Sequence, residues 1–171
     1  TGTVTQVQAR AVPRSGHGGQ ATAWQTIGTP GSGQFTGTLN NLSGGWYDIE
    51  VRSLNNAAVV DTTTMQRVGV GEVFVMAGQS NSANFGGATA PAQSDAVTMR
   101  TSYTQNTWAP AVDPQPLANG SGGSPWPMLG DLVNAEHEVP VGLISVGVGG
   151  SSVQSWGPTA GNYTSRLKPV L

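Results

Sequence analysis

The stretch VGEVFVMAGQSN, Val70 to Asn81, decides the fold class. Val70 to Ala77 is almost continuously apolar, broken only by Gly71 and Glu72. Such a run suits a strand buried on both faces, as in a parallel sheet. Gly78-Gln79-Ser80-Asn81 then ends it, with a glycine free to turn sharply. The same grammar returns downstream. Val141 to Val148 is a second apolar strand, closed by a Gly-rich turn over Gly147 to Gly150. Between the two, Ser124-Pro125 reads as a helix start, with Ser as N-cap and Pro at the first helical position. Leu129, Leu132 and Val133 recur at helical spacing up to about Glu138. Strand, connection, helix, strand, turn is an α/β unit, and ligands of open α/β sheets bind where the strands end.

Upstream of residue 69 the pattern is all-β. Val7, Ala9 and Ala11 alternate with Gln6, Gln8 and Arg10. Tyr47, Ile49 and Val51 alternate with Asp48, Glu50 and Arg52. Both are period-2 signatures of half-buried strands. Thr22–Ile27, Phe35–Leu39, Val59-Val60 and Thr62–Val68 are shorter strand candidates. Strands at this spacing predict a small Ig-like antiparallel sandwich over residues 1–68, with Trp24 and Trp46 in its core. Residues 69–171 form the α/β part. Within it, Phe85–Ser94 reads as a loop or short helix, Val97–Ser102 as extended, and Asn106–Gly123 as irregular surface.

Composition excludes several functions. The 171 residues carry 7 basic and 9 acidic side chains, a formal net charge of -2. That balance leaves no footprint for nucleic acid or an anionic membrane. Charged residues make up 9% of the chain, where roughly 25% is usual. There is no cysteine, hence no disulfide, thiolate nucleophile or zinc ribbon. Only His17 and His137 are present, too few for a His-rich metal site. No run approaches the roughly 20 apolar residues of a membrane helix. Three Asn-x-Ser/Thr sequons occur, at Asn41, Asn119 and Asn162. Few Lys, many Thr, Asn and Gly, and no Cys are what a bacterial protein working outside the cytoplasm, extracellular or periplasmic, is expected to have. The opening at Thr1 reads as a processed or trimmed N-terminus.

Two loops can carry chemistry. Ser80 sits in the turn after the first buried strand, where a helix N-terminus would favour a developing negative charge. Local sequence leaves Ser80 two roles, an ordinary N-cap or a nucleophile beside an oxyanion site. The motif is not a G-x-S-x-G elbow, because Ser82 stands where the second glycine would be. The second loop is SVGVGGSS, Ser145 to Ser152. A dinucleotide fingerprint would need glycine at position 152 and an acidic residue further on, and no Asp or Glu follows Glu138. A nucleotide site is therefore rejected. Gly150 either offers its N–H to an oxyanion or belongs to a plain turn.

Taken together, GEVFVMAGQSN and VPVGLISVGVGGSSVQSW resemble the SGNH (GDSL-like) hydrolase superfamily, in its sialate O-acetylesterase and carbohydrate acetylesterase branch. The resemblance is strong from Gly44 to Trp156. It implies a three-layer, flavodoxin-like parallel sheet, incomplete here, preceded by the β-sandwich. It implies that Ser80 is the nucleophile and that the N–H groups of Ser80 and Gly150 serve the oxyanion. Trp156 matches a family Trp. The activity implied is removal of O-acetyl groups from sugars, with an acetylated carbohydrate as substrate and no metal or organic cofactor.

Two family blocks are missing. No Q-G-E segment supplies a third oxyanion donor, and no D-x-x-H segment supplies the catalytic Asp and His. His17 lies in the β part, and His137 lies at a helix end between Glu136 and Glu138. The expectation is an N-terminal portion whose remaining blocks follow Leu171, and which alone exposes apolar surface and hydrolyses little or nothing. The rival expectation is a non-catalytic carbohydrate-binding or cell-surface adhesion module, drawn from the five Trp and the absent His.

Overall fold

The computed structural model describes residues 3–31 and 33–171. The chain divides into two compact units, one ending at Val70 and the other running from Gly71 to Leu171.

The first unit is one antiparallel sheet. Its strands are β1 (Gln6–Pro13), β2 (Gln25–Gly28), β3 (Gly45–Asn55) and β4 (Ala58–Val70), in the order β2-β1-β3-β4. Val7, Ala9 and Ala11 of β1 are buried, and their polar neighbours lie on the other face. Asn56 takes a left-handed conformation (φ +53°) between β3 and β4, which closes a tight hairpin. The register slips at Asp48, opposite Arg67, whose φ of +62° is costly for a non-glycine residue. The Asp48 carboxylate anchors this bulge: Oδ1 accepts the Arg67 N–H at 3.1 Å and the Arg14 guanidinium at 2.8 Å. These two bonds, the backbone one first, hold its pKa below the ordinary value.

Three expectations change here. The described residues of this unit carry a single sheet, not the two of a sandwich. Phe35–Leu39 forms no strand, because residues 29–44 are rich in Gly, Thr, Ser and Asn; the described ones among them hold only the isolated Gly31–Gln34 bridge. Trp46 is buried, but Trp24 is only half-buried. It lies beneath the Arg10 and Arg52 guanidinium groups, 4.8 and 4.1 Å from the ring centroid, on the polar face.

The second unit is a mixed sheet. Its strands are β5 (Glu72–Met76), β6 (Val97–Arg100), β7 (Trp108–Pro110) and β8 (Val141–Ser145), in the order β5-β8-β6-β7. β8 runs parallel to β5 and to β6, while β7 is antiparallel to β6. The single α-helix among the described residues, α1 (Trp126–His137), packs on one face. Met76, Val97, Met99, Val141 and Leu143 form the core beneath it. Ile144 and Val146 pack on a separate cluster with Leu117, Val170 and Leu167. β8 is buried throughout, as its apolar run demands. β5 is not: Val73 is 58% and Val75 is 36% exposed, because β5 is the edge strand and only its Phe74 and Met76 side meets the core.

Helix α1 starts one residue later than expected: Pro125, not Ser124, is the N-cap, and the first helical residue is Trp126. Ser124 Oγ accepts the Trp126 N–H, and Asp113 in turn receives the Ser124 N–H and hydroxyl at 2.9 and 2.6 Å. Glu138, left-handed at φ +53°, ends the helix. The buried stripe differs from the expected one. Pro127 and Gly130 face the sheet, whereas Leu132 is 64% exposed. Small residues are required there because a Cβ on Gly130 would lie 2.4 Å from Val97 Cγ1. Phe85–Ser94 forms no helix. It is held by bridges from Asn84 to Gly120, Gly86 to Gly123 and Pro91 to Val112.

Candidate active site

The two turns singled out in sequence lie side by side. Parallel pairing of β5 and β8 ends at Met76 and Ser145, and main-chain bonds carry the contact further. Val146 N–H donates to Met76 O at 2.9 Å, and Val148 N–H donates to Gly78 O at 2.8 Å. Ser151 Oγ donates to the same Gly78 carbonyl at 3.3 Å, and Trp156 Nε1 donates to Ser151 Oγ at 2.9 Å. The loop after β8 therefore wraps the Gly78 turn, and Trp156 locks the wrap.

Ser80 opens a 3-10 turn, Ser80–Ser82, rather than the helix expected there. No macrodipole builds up over three residues, so any electrostatic help comes from individual N–H groups. The turn is pinned from three sides at Ser82. Its Oγ donates to Gln79 O at 2.8 Å, and its carbonyl accepts the Ser145 hydroxyl at 2.8 Å and Trp126 Nε1 at 3.3 Å. Ser80 itself is half-exposed and is the first residue of the turn; Gln79 holds the N-cap position, so the N-cap role is not the one Ser80 plays.

The second turn runs Val148 to Ser151, closed by Ser151 N–H to Val148 O at 3.2 Å. Gly150 occupies its third position at φ +71°, a conformation that glycine takes without strain. Among the described residues, neither the Ser80 N–H nor the Gly150 N–H has a hydrogen-bond partner. Two unpaired donors thus sit on adjacent turns at the carboxyl edge of the sheet.

A third segment, Asp113 to Gly123, braces both turns. Asn84 is 1% exposed; its Oδ1 accepts Gln115 N–H at 2.7 Å, and its Nδ2 donates to Gln115 O and Ala118 O. Asn119 lies at the end of this brace. Its carbonyl accepts Asn84 N–H and its N–H donates to Gly147 O, both at 3.0 Å. Its Oδ1 accepts the Gly149 N–H at 2.8 Å. Behind it, burial raises the pKa of the Tyr103 hydroxyl, which donates to Leu117 O at 2.5 Å with Arg166 alongside.

An open cleft of about 490 Å³ adjoins Ser80, walled by Asn81, Phe85, Ser124 and Pro125 among others, all neutral. Its walls include no His, Asp or Glu. His137 ends α1, and the helix begins beside the cleft wall at Pro125. Eleven residues of helical rise separate the ends, about 16 Å. His17 belongs to the first unit.

Residues 70–170 match the family described as carbohydrate esterase, sialic acid-specific acetylesterase. The chain belongs to that family. Among solved structures it is similar to a carbohydrate acetylesterase from Xanthomonas citri, at 15% identity and a TM-score of 0.50, over 98% of this chain and 42% of that one. A protein from Arabidopsis thaliana matches at 16% identity and a TM-score of 0.47, over 57% of this chain and 49% of that one. This member of the esterase family therefore spans about half the length of the solved structures it matches. Among curated protein sequences, none matches.

Ser80, Gly150 and Trp156, the residues marked by the sequence, are brought to one edge of the sheet. Asn84, Gln115 and Asn119 were not marked. Their bonds span about thirty residues of sequence and leave no local pattern, and Asn119 stands out in sequence only as a sequon.

Proposed function

We propose that this chain carries the nucleophile and part of the oxyanion site of a serine esterase that removes O-acetyl groups from carbohydrates outside the cytoplasm. The observation that carries this reading is the pair of unpaired N–H groups, Ser80 and Gly150, on turns joined by the Val148–Gly78 bond. Free backbone donors fixed beside a serine hydroxyl are what acyl transfer requires. Ser80 Oγ attacks the acetyl carbonyl, and the carbonyl oxygen becomes an anion held by the two N–H groups. Collapse expels the sugar hydroxyl and leaves acetyl on Ser80; water then attacks the acyl-enzyme and releases acetate.

The attack needs a base for the Ser80 proton, and the sugar oxygen needs that proton back. The cleft walls supply none. We assign the base, its orienting carboxylate and a third oxyanion donor to sequence that follows Leu171, in keeping with a chain that spans 42% of the Xanthomonas citri structure.

The rival reading, a carbohydrate-binding module, needs tryptophans free to stack on sugars. Here Trp46 is buried, Trp24 lies under two arginines, and Trp126 and Trp156 donate to Ser82 O and Ser151 Oγ. Only Trp108 is as much as 37% exposed.

The test uses the full-length protein, a fluorophosphonate probe and an acetylated oligosaccharide. Peptide mapping should find the label on Ser80. Ser80→Ala should lose labelling and lower kcat by about 10⁴-fold or more. Undiminished deacetylation by Ser80→Ala would sink the reading.

A further inference from the structure

We infer that Asn119 is a positioning residue for the oxyanion site, acting through the Gly149–Gly150 turn. The inference rests on the esterase reading above and adds a residue to it. The Gly149 N–H needs an acceptor, and the carboxamide oxygen of Asn119 supplies it at 2.8 Å. Only the oxygen of the amide can accept, so the orientation of this side chain is fixed by its partner. The bond sits one residue before Gly150, whose own N–H is unpaired. It therefore fixes the Val148–Gly149 peptide; the next peptide, which carries the Gly150 N–H, hinges on Gly149, a glycine with little resistance of its own to rotation.

Asn119 is itself held. Its main chain bonds to Asn84 on one side and to Gly147 on the other, both at 3.0 Å. The buried Asn84 carboxamide fixes the carbonyls of Gln115 and Ala118 just upstream. Asn84 follows the Ser80–Ser82 turn after the single residue Ala83. Asn119 thus ties the loop bearing the nucleophile to the turn bearing the second donor, and its side chain makes the last link. Its side chain is exposed, outside the packed core, so truncating it to alanine should leave the core packing intact. An oxyanion donor stabilises the transition state only if it is already aimed when charge develops. Loosening the turn should therefore slow the chemical step and leave ground-state binding alone.

The experiment compares wild type and Asn119→Ala in the full-length protein. It measures kcat and KM on an acetylated oligosaccharide, the rate constant for phosphonylation of Ser80 by the fluorophosphonate, and Tm. Both kcat and the phosphonylation rate constant should fall about tenfold, the scale of one hydrogen bond. KM should stay within about twofold, and Tm should barely move, as expected for a single exposed bond. Unchanged rates would overturn the inference, as would a loss that appears only in KM or that tracks a loss of folded protein. Failure of the underlying reading looks different: wild type itself would then carry no label on Ser80.

Discussion

Gly147 and Gly150 stand three residues apart, and they are glycine for different reasons. A Cβ on Gly147 would lie 2.5 Å from the Ser82 carbonyl oxygen, so that position keeps the two turns in contact. A Cβ on Gly150 would meet nothing within 4 Å; what excludes other residues there is the φ of +71°. The difference makes Gly150→Ala a clean probe of the proposed second oxyanion donor. It adds no clash, but alanine in the left-handed region costs about 1 kcal/mol, which the turn can relieve by rotating the peptide. Unfolding free energy from urea melts should fall by about that amount. In the full-length protein kcat should fall about tenfold or more, with KM little changed. An unaltered kcat would remove Gly150 from the oxyanion site. Sequence marked both glycines as one turn, but it could not separate crowding from backbone conformation, because that depends on which neighbour lies opposite.

At the scale of elements, α1 shows where sequence pattern reads well and where it does not. Its start was legible to within a residue because Ser-Pro is local chemistry, although Pro125 rather than Ser124 is the N-cap; the left-handed Glu138 that stops it carries no cap signature in the sequence. Its buried stripe was legible only in part: Val133 packs against the core as expected. Leu129, Leu132 and Val133 look like the apolar face, yet Leu132 is exposed and Gly130 is buried against Val97. Close approach of helix to sheet selects small residues, and hydrophobic periodicity is blind to that. β5 is the same lesson in a strand: its apolar run resembles that of β8, but position at the edge of the sheet exposes Val73 and Val75. β7 was hidden in a Pro- and Asn-rich stretch, since three residues paired to β6 leave no periodic signal. The helix argument makes a prediction. In a solvent-facing helix interior, alanine is favoured over glycine by about 1 kcal/mol. Here Gly130→Ala should destabilise instead, by about 1–3 kcal/mol, because the new methyl must displace Val97 or lift the helix. Pairing it with Val97→Ala should recover part of the loss, and a thermal-melt double-mutant cycle would read the coupling.

At the scale of the whole molecule, the chemistry on these 171 residues is one-sided. There is a hydroxyl on a braced turn and there are two unpaired N–H groups, proposed above to hold an anion, but no group stands in the cleft wall to take a proton. Donors without a base stabilise charge that has no way to form. A serine hydroxyl at neutral pH is a weak nucleophile, and its reactivity depends on the adjacent base. The 171-residue chain should therefore hydrolyse an activated ester such as 4-nitrophenyl acetate no faster than its own Ser80→Ala variant, while the full-length protein shows a large Ser80-dependent rate. Circular dichroism on the short chain would establish that it is folded when assayed. The comparison is informative because the Ser80→Ala control subtracts whatever the surface contributes without the nucleophile. A Ser80-dependent burst from the short chain would mean that a base lies within it. His137 is about 16 Å along α1 from the end that meets the cleft. Replacing His17 and His137 in turn would then identify which one serves, and the proposal that the base follows Leu171 would fall.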